Sequence, residues 1–333
     1  MSDNMIIETE KQNNFLEVSV INELFQNIES IEVQCANKVG EDVVELRIKQ
    51  LAYAKLLVNV YEKDISFLIK AYTLLGISYL DINYFEQAQE HLLNAFKLNE
   101  STTEDDLFQM AMKEYQVKIL INLSKCYLEN NKAQSALTIC EKCLKMNQTM
   151  LGEEHISNAD IYYVLAKINT RLKNYEAGIQ FLTNMFNMYE KLYGFNSEKS
   201  AKICMELGQI YELAKNYNDA IEYTKYSYQI WEKVLSSNKE NTSDDYEVVI
   251  DISMKLAELN EKVDMFSDAY KWLKETEAKY GEHLRNKKKK QLSFKKLLIK
   301  YAELNQDLNA NYNELLDLEV TTYYLIVILY RDL

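Results

Sequence analysis

Proline is absent from this sequence, and glycine occurs only seven times in 333 residues. Average usage would give about 17 prolines. Inside a helix, glycine costs about 1 kcal/mol and proline about 3 kcal/mol relative to alanine, so helices exclude both residues. Proteins built from many short strands need turn residues roughly every 8–12 positions, and such residues are missing here. The scarcity therefore argues against β folds and predicts an all-α protein.

Positive charge is also in short supply, since the formal net charge is −13 at pH 7. A nucleic-acid binder needs a basic surface to displace counterions, so we expect no nucleic acid as a partner. The longest apolar run, Val320 to Leu329, is about half of the roughly 20 residues that a membrane span requires. No N-terminal stretch has the order of a signal peptide. We expect a soluble, intracellular protein without a membrane span.

Residues with the chemistry of a catalytic or metal site are few. The five cysteines are odd in number and lie mostly inside helical patterns, which favours reduced thiols over a disulfide framework. Cys140 and Cys143 form a CxxC, but no second CxxC completes a zinc site, and both occupy positions suited to small buried residues. No GxGxxG or GxxxxGK[ST] motif occurs. We expect no cofactor, no metal and no enzymatic activity, and the three histidines are predicted to be exposed and unperturbed.

An internal repeat is what the sequence does contain. Five times, a leucine precedes a small residue that we call the anchor of its repeat, and further marks recur three, twelve and nineteen positions after it. The third position is tyrosine or asparagine, and the later two are mostly small. The five anchors are Gly76, Ser124, Ala166, Gly208 and Ala257. Small residues at these spacings indicate two helices, A and B, that pack closely as a hairpin.

These residues resemble the tetratricopeptide repeat (TPR) family. Ser124, Ala166 and Gly208 are spaced 42 residues apart, as in the kinesin light chain variety of the repeat. The segments LGEEHISNADIYYVL (151–165) and YGFNSEKSAKICMEL (193–207) are similar to that variety's LGxxHPxxAxxxxxL, with Ile156 in place of proline. The resemblance implies a TPR α-solenoid, which is a right-handed superhelix of antiparallel helical hairpins.

The repeat pattern also predicts how the chain is organised. We expect a flexible N-terminus at residues 1–14, a capping helix pair at 15–64 and five hairpins at 65–281. Residues 282–333 are predicted to form a degenerate sixth hairpin, or C-terminal cap, with helices at Leu292–Leu304 and Tyr312–Leu329. Its phase relative to the other repeats is not fixed by the sequence.

In this family, helix A presents set positions to a ligand in the concave groove. In this sequence the residues at those positions are mainly cations with apolar and amide neighbours. They are Lys70, Lys118, Ile121, Asn122, Lys125, Leu128, Tyr163, Lys167, Arg171 and Lys202. Later repeats offer acidic residues, among them Glu212, Asp251 and Glu261. One interpretation is a basic, partly apolar slot for an acidic peptide with aromatic residues, as the kinesin light chain likeness implies. The other is an ordinary charged helix surface.

One basic cluster stands out in the acidic chain: Arg285 to Lys290 (RNKKKK), followed by Lys295 and Lys296. A solvated loop and helix start would explain it. The alternatives are a contact with an acidic partner, such as a tubulin tail, or a nuclear import signal.

The family likeness implies a non-enzymatic protein–protein interaction scaffold or adaptor. The order of repeats and the N-terminal helix pair look like ciliary members of this repeat group, and a composition rich in Asn, Lys, Ile and Tyr suggests an AT-rich genome. We therefore predict a structural role in a ciliary, axonemal or other microtubule-associated assembly, with a cytoplasmic or cytoskeletal location. The alternative is a motor–cargo adaptor of the kinesin light chain type. An enzyme that carries a repeat domain is a third class, for which the sequence leaves no catalytic segment. The oligomeric state is not predicted.

Overall fold

The computed structural model describes residues 19–31, 33–35, 41–60, 65–101, 106–237, 241–284, 287–304, 320–322 and 326. Within this part of the chain the regular secondary structure is helical, with no strand, so the all-α prediction is confirmed. The chain forms two compact units, an N-terminal unit of residues 1–172 and a C-terminal unit of residues 173–333.

The N-terminal unit consists of helices that pack as successive neighbours. Residues 19–31 are helical and are followed by α1 (Glu41–Val60), α2 (Ile65–Asp81), α3 (Phe85–Glu100), α4 (Asp106–Glu129), α5 (Ala133–Leu151) and α6 (Asn158–Arg171). Helices α2 and α3 form one hairpin, and α4 and α5 form the next. Helix α4 also contacts both α2 and α6. The three A helices α2, α4 and α6 are therefore consecutive neighbours.

The C-terminal unit repeats this arrangement. Its elements are α7 (Tyr175–Tyr193), α8 (Glu198–Leu213), α9 (Tyr217–Ser237), α10 (Ser243–Glu261), α11 (Phe266–Tyr280), a 3₁₀ helix (Gly281–Leu284) and α12 (Lys288–Leu304). Helices α8 and α9 form one hairpin, α10 and α11 form another, and α12 packs on α11. Most of the helix predicted at Tyr312–Leu329 lies outside the described residues.

The anchors lie where helices A and B come closest. A Cβ atom on Gly76 would lie 2.5 Å from Leu92 Cγ, and one on Gly208 would lie 2.6 Å from Thr224 Oγ1. Real Cβ contacts are not this short, so glycine permits the approach at both positions. Ala220, twelve residues after Gly208, is fully buried. The predicted packing of the marks is confirmed.

Each turn from helix A to helix B has the same backbone geometry. The residue seven positions after each anchor has a positive φ, near 60°, in all five cases: Asn83, Asn131, Lys173, Lys215 and Asp264. After α8, the Lys215 N–H donates to the Glu212 carbonyl and the Asn216 N–H donates to the Tyr211 carbonyl, each at 2.9 Å. These two bonds define a Schellman motif, which satisfies the last carbonyls of a helix. The same pair of bonds closes the turns at Asn83, Asn131 and Asp264.

The joints from helix B to the next helix A explain the 42-residue spacing. Helices α5 and α7 end at Gly152 (φ 93°) and Gly194 (φ 79°). The Asn158 side chain donates to the Gly152 carbonyl at 2.9 Å, and the Ser200 hydroxyl, 42 residues later, donates to the Gly194 carbonyl at 3.2 Å. Polar side chains at equivalent positions thus fix both joints, with no proline involved.

The structure supplies the missing phase of the sixth repeat. Lys255, two residues before its anchor, pairs with Glu212, which is four residues after the preceding anchor. Lys300 pairs in the same way with Glu261, four residues after Ala257. The sixth anchor is therefore Ala302, which is 3% exposed. The sequence agrees, because AELN occurs at both 257–260 and 302–305.

Candidate functional site

Helix α4 carries the centre of the predicted binding surface. Lys118, Ile121 and Lys125 are spaced three and four residues apart, so they share one face of the helix. All three are at least partly exposed. Since α4 contacts both α2 and α6, its neighbours extend the same row of A helices.

Cations occupy equivalent positions on neighbouring A helices of this unit. Lys70 and Lys118 both lie six residues before their anchors, and Lys125 and Lys167 both lie one residue after theirs. The two lysines of each pair come from helices that contact each other. The arrangement concentrates positive charge on a protein that is acidic as a whole.

Aromatic rings lie beneath two of these lysines. The Lys70 Nζ lies 5.5 Å from the centroid of the Tyr115 ring, and the Lys167 Nζ lies 5.2 Å from that of Tyr163. The quadrupole of an aromatic ring attracts a cation at such distances, so the rings help to orient the ammonium groups. Burial raises the pKa of Tyr115, helped by the charges of Glu29 and Glu114, and its phenol therefore stays neutral at physiological pH.

Two predicted contact residues lie below this surface. Asn122 and Leu128 are each only 7% exposed. The Asn122 side chain donates to the Lys118 carbonyl at 2.8 Å and accepts from the Lys125 Nζ at 3.5 Å. Both ends of its amide are used within α4, so Asn122 positions Lys125 and offers little to a ligand.

The last two predicted residues occupy different places. Arg171 is exposed at the end of α6 in the N-terminal unit. Lys202 belongs to α8 of the C-terminal unit, where it pairs with Glu198 one turn away. Nine of the ten candidates therefore belong to a single compact unit.

The acidic residues predicted for the later repeats do not form a bare acidic surface. Lys255 lies 2.8 Å from Glu212, Lys290 lies 2.8 Å from Asp251, and Lys300 pairs with Glu261. The lysines come from the next helix A in each case. These carboxylates, which the sequence offered to the groove, therefore have cationic partners inside the protein.

The basic run has an internal use that the sequence did not reveal. Lys287 and Lys290 both pair with Glu247 of α10, whereas Arg285 and Asn286 lie outside the described residues. A solvated loop is therefore the wrong description of Lys287 and Lys290. Lys289 is exposed and forms no ion pair with any described residue.

The cysteines of the CxxC are packing residues, as predicted. Cys140 and Cys143 are fully buried, and both thiols are free. Burial raises the pKa of each to about 12, so neither forms a reactive thiolate at neutral pH. Their Sγ atoms lie 3.9 Å and 3.6 Å from the carbonyls of Ile161 and Val117. The described residues contain no cluster suited to a metal ion.

His91 differs from its prediction. Its ring stacks on Tyr79 and Tyr72, with centroid separations of 5.3 Å and 6.0 Å. Burial lowers its pKa, Lys55 lowers it further, and Glu90 opposes the shift. Its Nδ1 is buried with no hydrogen-bond partner among the described residues. The imidazole is thus a packed aromatic group rather than an exposed one.

Comparisons with known proteins support the fold at the level of the repeat. Tetratricopeptide repeat family models match residues 69–102 and 118–157. No curated protein is significantly similar in sequence. None of the described helices is long and apolar enough to cross a bilayer.

Several solved structures share the fold. BtubC (BKLC) from P. vanneervenii is 16% identical, with 74% of this chain and 90% of that chain covered and a TM-score of 0.54. A candidate kinesin light chain of Podosopora anserina with nearly identical TPR-like repeats is 17% identical, with 65% and 97% covered and a TM-score of 0.51. The STAND ATPase PH0952 of Pyrococcus horikoshii, which has a tetratricopeptide repeat sensor, is 16% identical, with 95% and 44% covered and a TM-score of 0.64. The predicted TPR fold is confirmed.

Proposed function

We propose that this protein is a non-enzymatic protein–protein interaction scaffold that binds an acidic peptide segment on the A helices of its N-terminal unit. We call this surface the lysine–tyrosine face. It consists of Lys70, Lys118, Ile121, Lys125, Tyr163, Lys167 and Arg171, with Asn122 and Leu128 as supporting residues beneath it.

The paired lysines carry this proposal. Cations at equivalent positions on neighbouring helices raise the local positive potential, which attracts an anionic ligand. Carboxylates of a partner could form ion pairs with Lys70 and Lys118, and with Lys125 and Lys167. Ile121 and Tyr163, which are partly exposed, offer apolar area for an aromatic side chain. An acidic segment that contains an aromatic residue is therefore the ligand of best fit.

We favour a ciliary, axonemal or other microtubule-associated assembly as the setting. The support is the order of the repeats, the N-terminal helix pair and the composition of the chain. A motor–cargo adaptor of the kinesin light chain type is the second candidate, and the fold shared with the candidate kinesin light chain of Podosopora anserina favours it. Both roles use the lysine–tyrosine face in the same way.

Charge reversal on this face tests the proposal. Replacing Lys118, Lys125 and Lys167 by glutamate should weaken an acidic partner, mainly through its association rate, and the loss should shrink as salt rises. The partner is first isolated from cells with the wild-type protein as bait and identified by mass spectrometry. Association rates are then measured by surface plasmon resonance at low and high salt.

The matched control reverses three exposed lysines of the same unit that lie outside the face: Lys97, Lys132 and Lys145. Its net charge equals that of the face variant, so a general charge effect would weaken both alike. Equal binding by the two variants would refute the assignment of the face. Axonemal proteins among the isolated partners would favour the first setting, and motor heavy chains the second.

A further inference from the structure

Helix α10 is acidic along most of one side. Asp244, Glu247, Asp251, Glu258 and Glu261 follow one another at spacings of three, four, seven and three residues. These spacings keep all five on one stripe of the helix. We call this set the acidic stripe. Like charges at such spacings destabilise a helix unless cations compensate them.

The compensating cations come from α12 and the residue before it. The Lys290 Nζ lies 2.9 Å from Glu247 Oε2 and 2.8 Å from Asp251 Oδ2. Lys287 lies 3.4 Å from Asp244 Oδ1 and also pairs with Glu247. Near the other end, the Lys300 Nζ bonds both oxygens of Glu261 at 2.6 Å and 2.8 Å. Three lysines therefore tie the ends of one helix to the stripe of another.

An apolar contact lies between these ionic ends. Phe294, Leu298 and Tyr301 are at most 1% exposed and pack against α10 and α11, where Ile250 and Leu273 are fully buried. The Tyr301 hydroxyl also donates to Glu261 at 2.8 Å. The ionic contacts add to this apolar contact at both ends of α12.

We propose that α12 is an electrostatic latch, held on the acidic stripe by Lys287, Lys290 and Lys300 and released when ionic strength rises or an anion competes for these lysines. The release uncovers both the acidic stripe and the apolar seat of α10 and α11. The C-terminal unit then offers a new surface that is absent while the latch is closed.

The exposure of the lysines makes the latch responsive. Their side chains are between 26% and 45% exposed, so counterions reach these pairs. The Debye length falls from about 10 Å at 0.1 M salt to about 3 Å at 1 M.

Hydrogen exchange followed by mass spectrometry tests the latch on the intact chain. An exposed ion pair changes an equilibrium by a factor of about 1.4 to 5, so loss of the five pairs that these three lysines form should speed exchange of the α12 amides by about fivefold to about three-thousandfold. We expect this acceleration in wild-type protein between 0.05 M and 0.5 M KCl. The variant with Lys287, Lys290 and Lys300 all changed to glutamine should show it already at low salt, and should respond little to further salt.

The control changes two other lysines, Lys289 and Lys296, to glutamine, because both are exposed on the same helix and neither pairs with a described carboxylate. Its exchange should follow the wild type. Exchange of α12 that ignores salt in the wild-type protein would overturn the proposal. A rise in α8 and α9 equal to that in α12 would also overturn it, since the whole unit would then be loosening.

Discussion

Replacing Lys215 by glycine should make the protein more stable, even though it removes a side chain. Lys215 has φ of 61°, a left-handed conformation in which a Cβ atom clashes with the carbonyl that follows. That conformation costs an L-residue about 1–2 kcal/mol, and glycine escapes the cost. The side chain is exposed, so little packing is lost.

The gain is partly offset in the unfolded state. Glycine has more backbone freedom than lysine, which lowers the stability by about 0.4–1 kcal/mol. The net increase in the free energy of unfolding should be about 0.5–1 kcal/mol. For a cooperative unit of this size, 1 kcal/mol shifts the melting temperature by about 2–4 °C. We expect a rise of about 2 °C.

Thermal and urea unfolding by circular dichroism would measure this change. The control is Lys271→Gly, which removes an exposed lysine from the middle of α11 and should cost about 1 kcal/mol. Lys215→Ala keeps the Cβ atom and should leave the melting temperature nearly unchanged. A fall for Lys215→Gly similar to that for Lys271→Gly would refute the argument from φ.

Two further substitutions test the packing and the buried imidazole. Ala220→Leu places a larger side chain at a fully buried position against α8 and should cost about 1–3 kcal/mol. Asn218→Leu, two residues earlier on an exposed face of the same helix, should change the melting temperature little, and equal effects would mean that the repeat register is wrong. The lowered pKa of His91 means that the unfolded chain binds its proton more tightly. The free energy of unfolding should therefore fall as pH falls through 6.5 towards the pKa of the folded state. The His91→Phe variant should lose less stability than the wild type between pH 7.5 and 5.5. Equal losses in the two proteins would contradict this prediction.

The hairpins could be predicted from the sequence because close helix packing restricts residue size. Glycine occupies position 208 because a Cβ atom there would lie too close to Thr224. The left-handed turn residues were harder, because no glycine occupies the position seven residues after an anchor. Asn83 and Asn131 were the available signal, since asparagine tolerates positive φ better than most residues.

The ion pairs of α12 could not be predicted, because they join residues about 40 positions apart in the chain. Which lysine meets which carboxylate depends on the offset between two helices, and the sixth repeat had no assigned phase. The sequence AELN, which begins at both Ala257 and Ala302, would have placed the anchor of the sixth repeat at Ala302. For the lysine–tyrosine face, helical spacing gave the direction of each side chain but not its depth, and so the burial of Asn122 and Leu128 was missed.

The two kinds of connection differ in how much extra chain they can accept. The A–B turns are closed by main-chain bonds over three residues, as at 82–84 and 214–216, so an inserted residue would break the Schellman motif and rotate the following helix. The B–A connections at 101–105 and 238–242 already hold the two longest intervals between anchors, whereas side-chain hydrogen bonds fix the joints that follow Gly152 and Gly194. A reporter peptide grafted at 101–105 or 238–242 should leave the repeats in register, whereas the same peptide at 82–84 should disrupt them. New loops can therefore be added at these two B–A connections but not in the A–B turns.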